Sequence, residues 1–251
     1  MGVIIPDHVT PQAQHAISRC SQIYAIVQEP SALWIPKGKL GQIKVINALD
    51  YYTDGGIRAD NYERVAREII GAASAGNAVG YVTYGNPMSY DRVAQNLVLY
   101  AEEAGVVAQV VPGISSLDTI MCDLRLDMAP AIQVFEASWI YICQTEPHTD
   151  VPMLLLQVGT FGSLRAHYGS RRDGSSIVEL ADYLCRYYPR THSVSLVRST
   201  AAKDQPACVR QVTLENLKNV SAEDLSGASM FIPASRQTNP DPEIFRRMEQ
   251  N

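Results

Sequence analysis

The chain has 251 residues, 46% of them hydrophobic and 19% charged, which is the composition of a globular protein that can bury a substantial core. Its formal net charge of −5 and pI near 5.5 argue against a nucleic-acid-binding surface, since such a surface carries a clustered basic excess. Its apolar runs are shorter than the roughly 20 residues that cross a bilayer, and its N-terminus lacks a signal-peptide pattern. The sequence therefore predicts a cytoplasmic protein with no membrane partner.

The spacing of cysteines and histidines argues against several kinds of site. The five cysteines and five histidines form neither a Cys-x-x-Cys nor a His-Glu-x-x-His motif, so the sequence predicts no disulfide framework and no metal site. The chain also lacks the Gly-x-Ser-x-Gly elbow of many hydrolases and the glycine-rich motifs that bind phosphate.

Hydrophobic periodicity predicts a helix, two strands and a second helix in the N-terminal part of the chain. Thr10 and Pro11 mark the start of the first helix as a cap and a first-turn proline. The four predicted ranges are 10–21 for the first helix, 23–27 and 44–47 for the strands, and 60–75 for the second helix.

The stretch from Val79 to Ser116 has the pattern of a strand, a helix and a parallel strand. Two apolar runs, 79–84 and 106–111, end at the turns Gly85-Asn86-Pro87 and Pro112-Gly113-Ile114-Ser115-Ser116. Residues 89–105 show helical periodicity, with Ser89 as the predicted cap and Gly105 as the stop. Such a unit is a right-handed crossover, and its ligands bind beyond the carboxyl ends of the strands. Both turns are therefore expected to face one crevice.

The remainder of the chain predicts closely spaced strands, which favour a mixed or antiparallel sheet. A helix at 176–188 is expected to open with a capping box formed by Ser176 and Glu179. The other predicted segments are a helix at 115–122, apolar runs at 132–135, 152–158, 194–198, 207–212 and 229–233, a helical turn at 213–217 and a linker at 139–149. The predicted architecture is an α/β fold of two α/β halves, 1–136 and 137–251, with the active cleft between them.

Tyr52, Arg58 and Tyr62 are candidate catalytic residues. Arg58 and Tyr62 are four residues apart at a helix start, so their side chains can share one face, and Tyr52 precedes them across a tight turn. A guanidinium held against a phenol favours the phenolate and lowers a pKa that is normally about 10. Such a group suits the removal of a reluctant proton. Spacing alone also allows Tyr62 to be a core residue beside Val65 and Ile69, with Arg58 solvated.

Glu136 is an acidic residue that follows an apolar run. Its carboxylate either orients Arg58 or a substrate, or lies on the surface beyond the strand. The residue pattern leaves these two interpretations open.

Two groups of motifs carry a family resemblance. Tyr84-Gly85-Asn86-Pro87 followed by Pro112-Gly113-Ile114-Ser115-Ser116 resembles the S-adenosylmethionine site of the tetrapyrrole methylase superfamily. Phe135-Glu136-Ala137-Ser138, the run 154–159 and the trio Tyr52, Arg58 and Tyr62 resemble one branch of it, the borosin-type peptide backbone α-N-methyltransferases. Asn86 stands where the peptide methylases usually carry His and the tetrapyrrole enzymes Asp. The resemblance extends from about His8 to the end of the chain.

The resemblance implies a tetrapyrrole-methylase-like fold, S-adenosylmethionine as the cofactor, and methylation of backbone amides of a peptide. It implies that Tyr62 or Tyr52 removes the amide proton while Arg58 and the other tyrosine stabilise the amide oxygen. The positions that match cofactor contacts carry neutral hydrogen-bonding side chains, and they are Tyr84, Asn86, Ser89, Ser116, Gln157, Ser199 and Ser229.

The resemblance also implies partners. The chain ends within about 18 residues of its last predicted strand, so we expect a separate ribosomal precursor peptide that is methylated in trans during peptide natural product biosynthesis. Family relatives are dimers, so a homodimer is expected. Two alternatives stay open: methylation of a tetrapyrrole or another small molecule at the same cofactor site, and a non-catalytic relative that binds a partner.

Overall fold

Two β-sheets, one in each of two compact units, organise the computed structural model of this chain, which describes residues 1–166, 176–199, 205–236 and 239–250. The first unit consists of Met1–Leu126 and the described parts of Ser163–Ser170 and Ser199–Cys208. The second unit consists of Asp127–Gly162 and the described parts of Arg171–Arg198 and Val209–Asn251. The mixed α/β class predicted from the sequence is confirmed.

The first unit is built on a three-stranded parallel sheet with the strand order β2-β1-β3. Its register pairs Ile23 of β1 with Val45 of β2 and with Gly80 of β3. Its elements in chain order are α1 (Pro11–Ser18), β1 (Gln22–Ala25), β2 (Lys44–Asn47), α2 (Arg58–Ser74), β3 (Val79–Val82), α3 (Arg92–Glu103) and α4 (Ser116–Leu124), with short 3-10 turns at Ser31–Leu33 and Ala48–Tyr51.

Local sequence signals explain where several of these helices begin. Thr10 caps α1, because its hydroxyl accepts a hydrogen bond from the N–H of Ala13 at 3.1 Å, and Pro11 occupies the first helical turn. The apolar face of α2 places Val65, Ala66 and Ile69 in a buried cluster with Val93 of α3. Burying this stripe against the sheet is what stabilises a 17-residue helix that is otherwise polar.

The second unit contains a five-stranded mixed sheet with the order β4-β5-β8-β6-β7, which confirms the predicted mixed sheet. Strands β4 and β5 are parallel, and β8 runs antiparallel to β5 and β6. The four residues of β5 are all buried, as expected for a strand near the centre of a covered sheet. The elements are β4 (Gln133–Glu136), α5 (Ala137–Ile142), β5 (Met153–Leu156), α6 (Ile177–Leu184), β6 (Ser193–Arg198), β7 (Cys208–Thr213), α7 (Ala222–Leu225), β8 (Ser229–Ile232) and α8 (Pro242–Glu249), with 3-10 turns at Val158–Thr160 and Leu214–Asn219.

The predicted strand at 106–111 is wrong, and with it the predicted crossover of parallel strands. Gly105 ends α3 with φ = 66°, and the N–H of Val106 bonds back to the carbonyl of Ala101 at 2.8 Å. The chain then stands away from β3, and a cavity of about 440 Å³ is lined by both β3 and residues 106–111. Val107 is 98% exposed. A valine-rich run predicts a strand only where a neighbouring edge comes within pairing distance.

Three smaller predictions also need correction. Helix α3 is capped by Asp91 rather than Ser89, because Tyr90 has φ = 61° and interrupts the chain before the helix. Ser176 precedes α6 but, within the described residues, makes no capping hydrogen bond with its side chain, so the predicted box with Glu179 does not form. The predicted linker at 139–149 instead begins inside α5, whose residue Ile140 is fully buried in the core of the second unit.

Candidate functional site

The hydroxyl of Tyr84 is held in place at the end of the β3 segment. It donates a hydrogen bond to Oε2 of Glu29 at 2.5 Å and accepts one from the N–H of Gln28 at 3.0 Å. Burial, followed by the hydrogen bond to the Glu29 carboxylate, raises the pKa of Tyr84 to about 12. The ring therefore presents a neutral phenol, 38% exposed, at the first turn.

Asn86 and Ser89 shape the same turn. The side-chain oxygen of Asn86 accepts a hydrogen bond from the N–H of Met88 at 3.0 Å, and its carbonyl accepts one from the N–H of Ser89 at 2.9 Å. Such a local contact of an Asn side chain is typical of a turn. The amide at position 86 thus supports the backbone that follows Gly85, while Ser89 lies half-buried behind it.

The two turns lie against each other, as the sequence predicted. A Cβ added to Gly113 would lie 2.4 Å from the carbonyl oxygen of Gly85, and a Cβ on Gly85 would lie 3.7 Å from the Cα of Ser115. Gly85 itself has φ = 65°, a conformation that glycine adopts without strain. Glycine at 113 is therefore required by close approach of two backbone segments.

A capping box fixes the start of α4 beside the second turn. Ser115 donates hydrogen bonds from both its N–H and its hydroxyl to Oδ2 of Asp118 at 2.7 Å, and the N–H of Asp118 is directed at the Ser115 hydroxyl at 3.4 Å. Ser116 is the first residue of the helix and is exposed. The box therefore leaves Ser116, and not Ser115, as the accessible hydroxyl of this turn.

Tyr52 and Tyr62 are in contact. Their ring centroids are 6.0 Å apart and their planes are inclined at 73°, which is a favourable edge-to-face arrangement. Both rings are half-buried and pack against the cluster that contains Val65 and Ile69. The ring of Tyr62 thus packs as the core interpretation predicts, and the structure also brings the two phenols together.

Arg58 is held by a distant part of the chain, the 163–166 segment. Its guanidinium Nη2 donates to the carbonyl of Ser163 at 2.7 Å, and its N–H donates to the carbonyl of Leu164 at 2.8 Å. The same segment also pairs with the turn before α2. The N–H of Gly55 donates to the carbonyl of Ala166, and the N–H of Ala166 donates to the carbonyl of Gly56, each at 2.8 Å. Arg165 adds a side-chain hydrogen bond to the carbonyl of Gly55 at 2.8 Å.

These bonds bear on the interpretation of Arg58 as a solvated residue. Its guanidinium has a backbone carbonyl partner and is not simply solvated. The sequence alone could not identify this contact, since the two residues are 105 positions apart. A fixed guanidinium can present its remaining N–H groups in a defined direction.

Tyr81 and Asp91 form a pair that the sequence analysis missed. The Tyr81 hydroxyl lies 3.1 and 3.4 Å from the two carboxylate oxygens of Asp91, which also caps α3 through the N–H of Ala94. Tyr81 packs against the same cluster as Tyr52 and Tyr62. Burial, followed by the Asp91 charge, raises the pKa of Tyr81 well above its usual value. The pair therefore places a negative charge and a neutral phenol behind the two candidate catalytic tyrosines.

Ser199 lies in the first unit, and its side chain is positioned by a residue far away in the sequence. Its hydroxyl donates to Oδ2 of Asp123, near the end of α4, at 2.6 Å. Asp123 thus orients Ser199, and no feature of the local sequence around position 199 signals this partner.

Gln157 and Ser229 lie at the same end of two neighbouring strands of the second sheet. Gln157 directly follows β5, and Ser229 is the first residue of the antiparallel neighbour β8, paired with Val197. Gln157 has φ = 59°, which is uncommon for a residue with a side chain and is often found at functional positions. It is exposed, whereas Ser229 is 7% exposed.

Glu136 ends β4 at this same end of the sheet, because its register partner is Leu156 of β5. Its Oε2 caps α5 by accepting a hydrogen bond from the N–H of Trp139 at 2.7 Å. Glu136 is therefore half-buried, and its carboxylate is tied to the start of α5. The grouping of all seven predicted cofactor contacts into one site stays a prediction, because they are divided between the two units.

Metal-binding clusters and membrane-crossing helices are absent from the described residues. Among residues 1–166, 176–199, 205–236 and 239–250, no group of three or more His, Cys, Asp or Glu side chains is arranged to hold a metal ion. Over the same ranges no helix combines the length and the apolar character needed to cross a membrane. All five cysteines are free thiols.

Sequence comparison identifies related proteins along the whole chain. A family model described as tetrapyrrole (corrin/porphyrin) methylases matches residues 1–218. The methyltransferase/ribosomally synthesized cyclic peptide gymnopeptides precursor of Gymnopus fusipes is 26% identical over 99% of this chain and 59% of its own length. The corresponding omphalotin A precursor of Omphalotus olearius is 24% identical over 99% of this chain and 60% of its own. The chain thus spans about 60% of the length of these relatives.

Two solved methyltransferase structures share this fold. The methyltransferase CobJ superposes with a TM-score of 0.64 at 15% identity and covers 95% of this chain and 94% of its own. Uroporphyrin-III C-methyltransferase of Thermus thermophilus complexed with S-adenosylhomocysteine superposes with a TM-score of 0.59 at 14% identity, covering 92% of this chain and 94% of its own. Since the family model matches most of its length, this chain belongs to the tetrapyrrole (corrin/porphyrin) methylase family.

Proposed function

We propose that this methyltransferase N-methylates backbone amides of a peptide, and that the peptide is a separate ribosomal precursor. The observation that carries the proposal is the contact between Tyr52 and Tyr62 on and before α2, the helix that begins at Arg58. The similarity to fungal methyltransferases fused to cyclic peptide precursors supports a peptide as the substrate class. The separate precursor, a homodimer and a cytoplasmic location belong to the same proposal.

The side chains at the predicted cofactor positions fit S-adenosylmethionine. They are neutral hydrogen-bonding groups and include no lysine or arginine, which would repel a sulfonium. Tyr84, Asn86, Ser89, Ser116 and Ser199 belong to the first unit, and Gln157 and Ser229 belong to the second. When bound, S-adenosylmethionine supplies an electrophilic methyl group.

The protein's own task is to make an amide nitrogen nucleophilic. The nitrogen lone pair is delocalised into the carbonyl, so the N–H proton must leave and the negative charge on the amide oxygen must be stabilised. The phenolate oxygen of deprotonated Tyr62 or Tyr52 accepts the proton. The Arg58 guanidinium and the other tyrosine hydroxyl donate hydrogen bonds to the amide oxygen. Because Arg58 is already fixed by the Ser163 carbonyl, little reorganisation is needed as charge develops.

The catalytic assignment is tested by replacing Arg58 with Lys. Lysine keeps the charge but loses the planar fork, so we expect methylation of a precursor peptide to fall at least about tenfold. Arg67→Lys is the matched control, because Arg67 lies on the same helix, is exposed and pairs with Glu63. Turnover by the Arg58→Lys variant that equals that of the control would refute the role of Arg58.

The reaction itself is tested by co-expressing the protein with a candidate precursor encoded near its gene. Peptide mass increments of about 14 Da, located on backbone nitrogens by fragmentation, are the expected result, since one methyl replaces one amide hydrogen. Unmodified peptide from a protein that binds S-adenosylmethionine in calorimetry would refute the peptide substrate.

A small-molecule substrate is the second candidate, favoured by the fold shared with CobJ and uroporphyrin-III C-methyltransferase. A change in the absorption spectrum of an added porphyrinoid, saturating at one molecule per site, would support it. The third candidate, a non-catalytic relative, predicts no gain in thermal stability from S-adenosylmethionine.

A further inference from the structure

Two buried polar atoms next to the end of β4 have no hydrogen-bond partner among the described residues. They are Oε1 of Glu136 and the hydroxyl of Ser138. The other oxygen of Glu136 is used, since Oε2 accepts from the N–H of Trp139. Buried polar groups are almost always paired, because leaving one unpaired forfeits the hydrogen bonds it made in water. These two atoms therefore indicate a missing partner.

The location of the pair points to the kind of partner. Glu136 is opposite Leu156 in the parallel register, and the next residue of that strand is Gln157. Ser229 begins β8 at the same end. Glu136 therefore ends the strand adjacent to β5, at the same end of the sheet as Gln157 and Ser229. Those two residues are the second-unit positions that would contact the cofactor. Ligands of such sheets bind beyond the carboxyl ends of the parallel strands.

A carboxylate differs from the other proposed contacts because it carries charge. S-adenosylmethionine has a sulfonium and an ammonium against one carboxylate, whereas S-adenosylhomocysteine has lost the sulfonium charge with its methyl group. A carboxylate near the cofactor therefore attracts S-adenosylmethionine more strongly than S-adenosylhomocysteine. At the effective dielectric constant of about 20 found near protein surfaces, such an attraction over contact distances changes affinity by at least about tenfold.

We propose that Glu136 contacts the cofactor through Oε1 and makes the site discriminate in favour of the cationic methyl donor over its neutral product. Ser138 supplies a neutral hydrogen bond beside it. The inference rests on the proposed function in one respect, the binding of S-adenosylmethionine. Its consequence is that loss of the methyl group weakens product binding, which promotes exchange of the product for fresh methyl donor.

Calorimetric titration of the full-length protein with S-adenosylmethionine and S-adenosylhomocysteine tests this proposal. Glu136→Gln keeps an oxygen that can cap α5 but removes the charge. We expect it to weaken S-adenosylmethionine binding about tenfold and to change S-adenosylhomocysteine binding less than about twofold. Ser138→Ala should weaken both ligands alike, because its hydroxyl carries no charge. Glu136→Asp, which keeps the charge, should retain more of the preference for S-adenosylmethionine than Glu136→Gln.

Other outcomes overturn the inference. If Glu136→Gln weakened the binding of both ligands equally, Glu136 would act only as a helix cap. If neither affinity changed, Glu136 would not contact the cofactor. Circular dichroism of each variant without ligand identifies loss of folding, and in that case the Glu136→Asp result decides. Binding of neither ligand by the unaltered protein would refute cofactor binding as well, so failure of the inference alone is recognised by normal binding in the unaltered protein.

Discussion

Replacing Gly113 with Ala should destabilise the contact between the two turns of the first unit. The new Cβ would lie 2.4 Å from the Gly85 carbonyl oxygen and 3.1 Å from the backbone nitrogen of Gly2. Ordinary contacts begin at 3.4 Å, so the turns must separate by about 1 Å, and both neighbours are backbone atoms that cannot rotate away. Overpacking of this kind costs about 1–3 kcal/mol, which at roughly 2–4 °C per kcal/mol lowers Tm by roughly 2–12 °C.

The matched control is Gly71→Ala, in the interior of α2. A Cβ on Gly71 meets nothing within 4 Å, and alanine is a better helix former, so the same chemical change should stabilise the protein by about 0.5–1 kcal/mol. Thermal unfolding followed by circular dichroism measures both variants. Because Gly85 adjoins Tyr84, Gly113→Ala should also weaken S-adenosylmethionine binding. A Gly113→Ala variant as stable as Gly71→Ala would refute the close approach of the turns.

Three further predictions concern hydrogen bonds of the first unit. Asp118→Ala removes the capping box of α4 and should cost about 1 kcal/mol in urea unfolding, while Asp118→Asn should restore part of it. Asp91→Asn keeps a cap for α3 but removes the charge beside Tyr81, so phenolate absorbance near 295 nm should develop at lower pH than in the unaltered protein. The pKa of Tyr84 is raised from 10 to about 12 in the folded state, so its contribution to stability is present below pH 10 and lost as pH rises through 12. Tyr84→Phe should therefore make unfolding midpoints less dependent on pH between 10 and 12, and an unchanged dependence would contradict the assignment.

Much of the fold follows from local signals in the sequence. Thr10 and Pro11 identify the start of α1, and the apolar stripe of α2 identifies both the helix and its buried face. The run 106–111 fails because strand formation also needs a partner edge. Its four valines are as suited to a strand as the residues of β3, but the run does not pair with β3, and both segments line the same cavity.

The candidate site likewise contains some contacts that the sequence could predict and others that it could not. The close approach of the turns around Gly85 and Gly113 is consistent with their glycines, because a residue without a side chain lets two backbone segments come together. The Tyr81 and Asp91 pair could have been found, since a tyrosine in a strand ten residues before an acidic helix cap can reach it when the helix packs back on the sheet. The partners of Arg58 and Ser199 could not, because they come from residues far along the chain.

The 163–166 segment explains how an exposed helix start can hold a rigid arginine. The first turn of a helix has N–H groups without internal partners, and a guanidinium there would normally sample many orientations. Here the chain after the second unit's β5 returns to the first unit and supplies carbonyls to both the N–H and the guanidinium of Arg58. The orientation of the Arg58 guanidinium is thus determined by backbone atoms. Backbone carbonyls do not depend on the identity of the side chains at 163–166, so substitutions there that keep the hydrogen bonds should leave Arg58 in place, whereas a proline at 166 would remove the N–H that bonds Gly56.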